Sequence, residues 1–173
     1  NGGGGGGGGG GHGGRGGNGS TAQGGKTNDS LVLPILPGSG GGAGYRTAGR
    51  GGGAIWMEVE RTAKIDGLFS ANGQFGLSRS GGSAGGGILL ACRALDSLST
   101  TRFRAHGANG NMTSDTNWYG GGGGGGRISI WEGVPLQLLA RSLEALPVPS
   151  LDVTTNHPTF QGAATVSNGT AYG

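Results

Sequence analysis

The stretch "GGGAIWMEVERTAKIDGLFSANG", Gly51 to Gly73, decides the fold, because it returns as "GGGILLACRALDSLSTTRFRAHG", Gly85 to Gly107. The two copies align without a gap at a shift of 34 residues, from position 51 to position 85. A third copy begins at "GGGRISIWEG", Gly124 to Gly133, and its late segment follows at "FQGAATVSNG", Phe160 to Gly169. Self-similarity at a fixed period is the mark of a repeat architecture.

Each copy contains two short segments of alternating character. Ile55, Met57 and Val59 alternate with their neighbours, a pattern typical of half-buried strands. A unit of two strands cannot bury its own core and has to stack on its neighbours, which indicates a solenoid of parallel strands. The ungapped alignment predicts two ladders of neighbouring side chains: Phe69 beside Phe103, and Ile55 beside Leu89 beside Ile128.

Glycine makes up 47 of the 173 residues and is concentrated in blocks. The blocks precede the predicted strands at 2–11, 40–42, 51–53, 81–87 and 120–126. Flexible loops are the default for such composition. However, a block that recurs with the repeat argues against a random linker, and extended glycine can form a threefold helix that bonds sideways to its neighbours. We therefore expect the glycine blocks to form polyglycine-II-like layers of the fold.

The motifs "GGGAIWMEV", "DGLFSANG" and "GGGGGGGRISIW" resemble the glycine-rich repeat regions of large secreted surface proteins of bacteria and protists. The resemblance covers residues 2–131 well and 160–169 weakly. It implies an all-β fold, a right-handed parallel β-solenoid of the autotransporter or adhesin kind, with an extracellular location. The glycine blocks also resemble the glycine-helix bundles of phage tail-fibre tips and some antifreeze proteins, so a polyglycine-II helix bundle is the alternative fold.

Three regions follow from these patterns: a glycine-rich solenoid over 1–133, an insertion or linker over 134–158, and a last strand or exchanged tail over 159–173. Within the insertion, Leu139, Leu143 and Leu146 recur at helical spacing and predict a short helix. The tail has strand-like pieces and no capping segment, which predicts that it adds a strand to a neighbouring subunit. Its candidate assembly residues are Leu151, Val153, Phe160 and Val166.

The polar residues do not form a reactive constellation. The three histidines lack ligand-like spacing, and "GGKT" at 24–27 lacks the first glycine and the preceding strand of a phosphate-binding loop. Basic residues are scattered singly, so no nucleic-acid footprint is evident, and no apolar run is long enough to span a membrane. The sequence therefore predicts neither an enzyme nor a cofactor or metal site.

Two kinds of surface site remain as candidates. Sequons at Asn28, Asn111 and Asn168 fall in predicted loops or turns, where N-glycosylation requires its acceptor. Trp118 and Tyr119 precede a glycine block and could stack on a sugar or contact a partner, or equally cover the edge of the fold. We interpret the chain as an extracellular structural protein that assembles with itself into a filament. The alternative is an adhesin module that binds carbohydrate or a surface.

Overall fold

The computed structural model describes residues 5–31, 33–112, 117–133 and 160–170. These residues contain six strands and no helix. The strands are β1 (Ile55–Ile65), β2 (Leu68–Ser70), β3 (Gly87–Ser97), β4 (Arg102–Arg104), β5 (Arg127–Glu132) and β6 (Ala163–Thr165). The predicted helix, the rest of the 134–158 insertion, Leu151 and Val153 lie outside the described residues.

The strands form two open, three-stranded parallel sheets. One has the order β1-β3-β5 and the other β2-β4-β6. Each sheet therefore has a strand of the first copy at one edge and a strand of the last copy at the other. The two sheets share a core in which Ile88, Leu90 and Cys92 of β3 face Phe103 of β4.

The observed register corrects one of the predicted ladders. Phe69 pairs with Phe103, as predicted, and their rings stack with centroids 5.0 Å apart. Ile55, however, pairs with Ile88 rather than Leu89, and Ile88 pairs with Ile128. Successive side chains of a strand point to opposite faces, so this slip of one residue places Leu89 on the far side of the sheet.

The slip arises because the spacing between paired residues changes along the repeat: it is 33 residues at Ile55, 32 at Thr62 and 34 at Phe69. In β1 the register shifts between Val59 and Thr62, where two residues of β1 oppose a single residue of β3. The pairs change from Val59 with Cys92 to Thr62 with Ala94. The turn between β3 and β4 is in return longer than the turn between β1 and β2. An alignment without gaps has a single shift of 34 residues and is therefore correct only in β2, where Phe69 pairs with Phe103.

A loop covers the outer face of the first sheet. Leu89, Ala91 and Trp131 form a second buried cluster, with Leu33 and Ile35 packed against it. The central strand β3 is therefore buried on both faces, as parallel strands commonly are. The sequence analysis did not predict this cover, because the loop lies outside the repeats.

A buried histidine holds that loop in place. The His12 ring is fully buried, with Nδ1 2.9 Å from Asn28 Oδ1 and Nε2 3.4 Å from Asp29 Oδ2. Asp29 Oδ2 also accepts a hydrogen bond of 3.1 Å from the Leu36 amide. Asp29 has a φ of 68°, a left-handed conformation that aspartate tolerates better than most residues. His12 thus anchors the loop to the glycine blocks.

The glycine blocks pack directly on one another, and we call them the glycine layer (5–11, 16–25, 38–42, 81–87 and 120–126). The segment 5–11 lies in its middle. Gly9 N donates to Gly17 O at 2.9 Å, and Gly10 N donates to Gly82 O at the same distance. Gly124 N donates to Gly10 O at 2.8 Å. Side chains are absent from these contacts because no Cβ would fit there.

The prediction of a right-handed parallel β-solenoid is therefore wrong. In a solenoid each repeat contacts only its neighbours. Here segment 5–11 bonds with blocks that precede both β3 and β5, and the described strands form two separate sheets of three strands each. The alternative, a polyglycine-II helix bundle, is also wrong, because the apolar core lies between two β-sheets.

Candidate interaction surfaces

The first-copy end of the sheets, formed by β1 and β2, leaves the shared core incompletely covered. Ile55, Met57 and Val59 are only half-buried, whereas their partners on β3 are 0% exposed. Phe69 of β2 is likewise half-buried, and Phe103 beneath it is fully buried. Among the described residues, only β3 pairs with β1, so the outer edge of β1 has no strand partner.

The opposite end is formed by β5 and β6. We call residues that pair across neighbouring strands a row. Ile55, Ile88 and Ile128 form one aliphatic row, and Met57, Leu90 and Ile130 form another. No described strand pairs with the outer edges of β5 and β6. The two ends thus present parallel strands with like residues in corresponding rows.

Charges and a bulge restrict the usable part of the β1 edge. Glu58, Glu60 and Lys64 are exposed on this strand, and the bulge follows Val59. Bulges and charges on edge strands oppose pairing with another chain. The regular part, Ile55 to Val59, remains, and β5 itself pairs only with the first six residues of β3.

The indole of Trp131 at the last-copy end is a buried polar group without a hydrogen-bond partner among the described residues. Trp131 is 3% exposed, and no described residue accepts a hydrogen bond from its indole Nε1. In the pairing pattern, Trp131 belongs to the row of Ala91 and Glu58. The Glu58 carboxylate already accepts a hydrogen bond of 3.1 Å from the indole of Trp56 within the chain. The carboxylate of Glu58 can therefore accept a hydrogen bond from the indole of a neighbouring tryptophan.

The predicted aromatic site includes two residues that the sequence analysis missed. Trp118 is half-buried, and the Arg79 guanidinium lies 6.0 Å from its ring centroid. Arg79 lies at the same distance from the ring of Tyr45, which is 66% exposed. Tyr119 is half-buried instead and pairs with Met112 in an antiparallel bridge. Tyr45 and Arg79 carry no local motif, because the fold alone brings them to Trp118.

The three sequons differ in how far their side chains are engaged. Asn28 Nδ2, the atom that would be glycosylated, donates to Ser39 Oγ at 3.1 Å, and Asn28 Oδ1 contacts His12. The exposed Asn168 uses only Oδ1, which accepts a 2.7 Å hydrogen bond from Gly125 N. Asn111 is half-buried, and its sequon ends at a residue outside the described part. Asn168 is therefore the most accessible acceptor of the three.

The described part of the predicted assembly tail lies on its own chain. β6 pairs with β4, and Phe160 packs on Phe103 with ring centroids 5.7 Å apart. Val166 is 52% exposed. Ala164, rather than Val166, pairs with Phe103 and so continues the row of Phe69.

The single cysteine is not a reactive group. Burial, and secondly the negative charge of Glu132, raise the pKa of the Cys92 thiol to about 11. The thiol therefore remains protonated at neutral pH, and a protonated buried thiol is a poor nucleophile.

Among the described residues, no hydroxyl or thiol group forms a hydrogen bond with the ring of His12.

Neither a metal cluster nor a membrane helix is found where the structure describes the chain. No three His, Cys, Asp or Glu groups come together there to hold a metal ion. No helix there has the length and apolar character needed to cross a bilayer. No protein family, curated protein or solved structure matches this sequence.

Proposed function

We propose that the protein is a structural subunit that assembles head to tail into a fibre, by pairing its β1 and β2 edges with the β5 and β6 edges of the next copy. The observation that supports this most is the half-buried core at the β1 end, where Ile55, Met57 and Val59 lie beside an unpaired strand edge. Contacts between different ends of identical subunits give an open filament when the rotation from one copy to the next does not close a ring.

The existing pairing pattern defines the expected register between copies. With the register that joins the described strands, Ile128 would pair with Ile55 of the next copy, and Ile130 with Met57. Aliphatic residues would continue in both rows and complete the burial of the core. Burying apolar surface contributes about 25 cal/mol per Å².

The same register gives the buried indole an acceptor. Trp131 would lie opposite Glu58 of the next copy, so its Nε1 could donate to that carboxylate. A buried donor without an acceptor costs roughly 1–3 kcal/mol, and this pairing would recover that loss.

An extracellular location belongs to the same proposal. It is supported by the glycine-rich surface-protein motifs in the sequence and by the exposed sequon at Asn168. A glycan mass on the peptide containing Asn168, in protein from its natural source, would agree with secretion through a glycosylating pathway.

The Met57→Lys variant tests the assembly. Lysine at this half-buried edge position can extend its charge to solvent in a monomer, but it would be buried by a second copy. Wild-type protein should form fibres visible by electron microscopy and sediment as large species, whereas the variant should stay monomeric with an unchanged circular dichroism spectrum.

Phe75→Lys is the matched control, because Phe75 is a 69% exposed apolar residue outside the strands. This control should assemble like the wild type. The proposal is wrong if wild-type protein stays monomeric at all concentrations, or if Met57→Lys assembles as readily as Phe75→Lys.

A second candidate function, carbohydrate or surface binding, is favoured by the cluster of Tyr45, Arg79 and Trp118. An exposed aromatic ring held by a guanidinium can stack on a sugar face. Tyr45→Ala should abolish retention on a glycan array if this is the function and should leave fibre formation intact.

A further inference from the structure

The hydrogen bonds of segment 5–11 repeat every three residues. Gly7 and Gly10 donate to Arg79 O and Gly82 O, both at 2.9 Å, and accept from Gly121 N and Gly124 N at 2.9 and 2.8 Å. Residues three apart thus bond to the same neighbouring segments. The segment therefore has three donor directions and three acceptor directions around its axis.

Five of these six directions are occupied. Besides the two just described, Gly9 donates to Gly17 O and accepts from Gly25 N, at 2.9 and 2.8 Å. Gly8 O accepts from Gly42 N at 2.7 Å. The remaining direction belongs to the amides of Gly8 and Gly11, which are three residues apart, and no described residue accepts a hydrogen bond from either.

A groove of about 510 Å³ is lined by both of these glycines. Its floor is Gly8 to Gly11, and its two walls are residues 22–28 and 39–42. These walls are the segments that hold Gly25 and Gly42, which donate hydrogen bonds to Gly9 O and Gly8 O. At the Gly11 end, Asn28 Nδ2 donates to Ser39 Oγ at 3.1 Å and joins the walls.

We propose that this groove binds an extended glycine-rich segment of another protein, which takes the place of the missing sixth neighbour. The segment would accept hydrogen bonds from Gly8 N and Gly11 N with carbonyl groups three residues apart. In an extended chain with three residues per turn, that spacing is about 9 Å.

The close packing around the floor explains why the ligand would have to be glycine-rich. A Cβ at Gly8 would collide with the carbonyl oxygen of Gln23, and one at Gly10 with that of Ser39. The five observed neighbours meet this floor mainly through glycine. A ligand bonding to the same floor at the same spacing needs glycine at the residues that face it.

The partner is a different chain rather than a second copy. The two longest described glycine segments, 5–11 and 120–126, are almost wholly buried within the glycine layer. A second copy would have to open its own layer to donate either of them. The groove is also separate from the β1 and β5 edges, so it does not depend on the fibre proposal.

A hexaglycine peptide, kept soluble by one lysine at each end, tests the inference. At millimolar peptide, the NMR amide signals of Gly8 and Gly11 should shift, and their hydrogen exchange should slow about tenfold. Signals of the already bonded Gly7 and Gly10 amides should change little. A hexaalanine peptide with the same terminal lysines should produce neither effect.

A variant of the groove separates this site from non-specific binding. Thr27→Trp places a large side chain at an exposed position of the wall and should abolish the shifts. Leu98→Trp, an exposed position far along the chain, should not. The inference is overturned if Gly8 and Gly11 do not respond to the hexaglycine peptide, or if Thr27→Trp binds it like Leu98→Trp. It is also overturned if Thr27→Trp abolishes self-association of the protein alone, since the occupant would then be a second copy.

Discussion

The glycine layer and the core between the sheets are both buried, but different atoms hold them together. Around Phe103 the contacts are between side chains, with Phe69 and Phe160 on either side. Around Gly9 and Gly123 the contacts are between backbones, and carbonyl oxygens occupy the places where side chains would stand. The core can adjust to a lost or altered side chain, whereas most glycines of the layer have no room for one.

The largest effect is expected from Gly123→Val. The first atom of the new side chain would collide with the Ser83 carbonyl oxygen, which is backbone and cannot rotate away. We expect a loss of about 5 kcal/mol or more in unfolding free energy, measured by urea denaturation.

Gly53→Ala is the control for that variant, because a Cβ at Gly53 meets nothing within 4 Å. It should change the unfolding free energy by less than about 0.5 kcal/mol. Equal stability of the two variants would show that the glycine layer is not close-packed.

A smaller loss is expected from Phe103→Ala in the sheet core. Removing this fully buried ring leaves a cavity and should cost about 3–5 kcal/mol. Leu98→Ala, at a 53% exposed position, should cost far less. If Phe103→Ala destabilised the protein more than Gly123→Val, side-chain packing would outweigh backbone packing, contrary to the comparison above.

The smallest effect is expected from Ser83→Ala, which removes a side chain that lies within the glycine layer. Ser83 is fully buried; its hydroxyl donates to Arg50 O at 2.7 Å and accepts from Gln74 N at 2.9 Å. Its loss removes these two hydrogen bonds, whereas Gln74 N still donates to Arg50 O at 3.0 Å, and should cost about 0.5–1.5 kcal/mol. Ser70→Ala, on the exposed face of β2, is the control and should be nearly neutral in the same denaturation assay.

The sequence predicted the strands better than their arrangement. The alternation of Ile55, Met57 and Val59 marks β1 correctly, and the Phe69–Phe103 pair was predicted because the alignment is in register there. The bulge after Val59 could not be predicted, because one extra residue leaves no local signal and an alignment without gaps allows only one spacing between the copies.

The arrangement of segments in the glycine layer could not be predicted from the sequence, for a different reason. Glycine has no side chain, so nothing in the sequence distinguishes Gly8 from Gly9, although only the amide of Gly9 has an acceptor among the described residues. The groove and the two orphaned amides follow from which segments surround 5–11, and that is a property of the whole fold. The cluster of Tyr45, Arg79 and Trp118 escaped prediction in the same way.

The close packing of the glycine layer also has a genetic consequence. Every glycine codon begins with two guanines, and only changes of its third base are silent. Any other single-base change inserts a side chain, a charge or a stop, and at most positions of segment 5–11 a side chain collides with backbone. The gene segment that encodes the simplest part of this protein should therefore vary at third codon positions and hardly anywhere else.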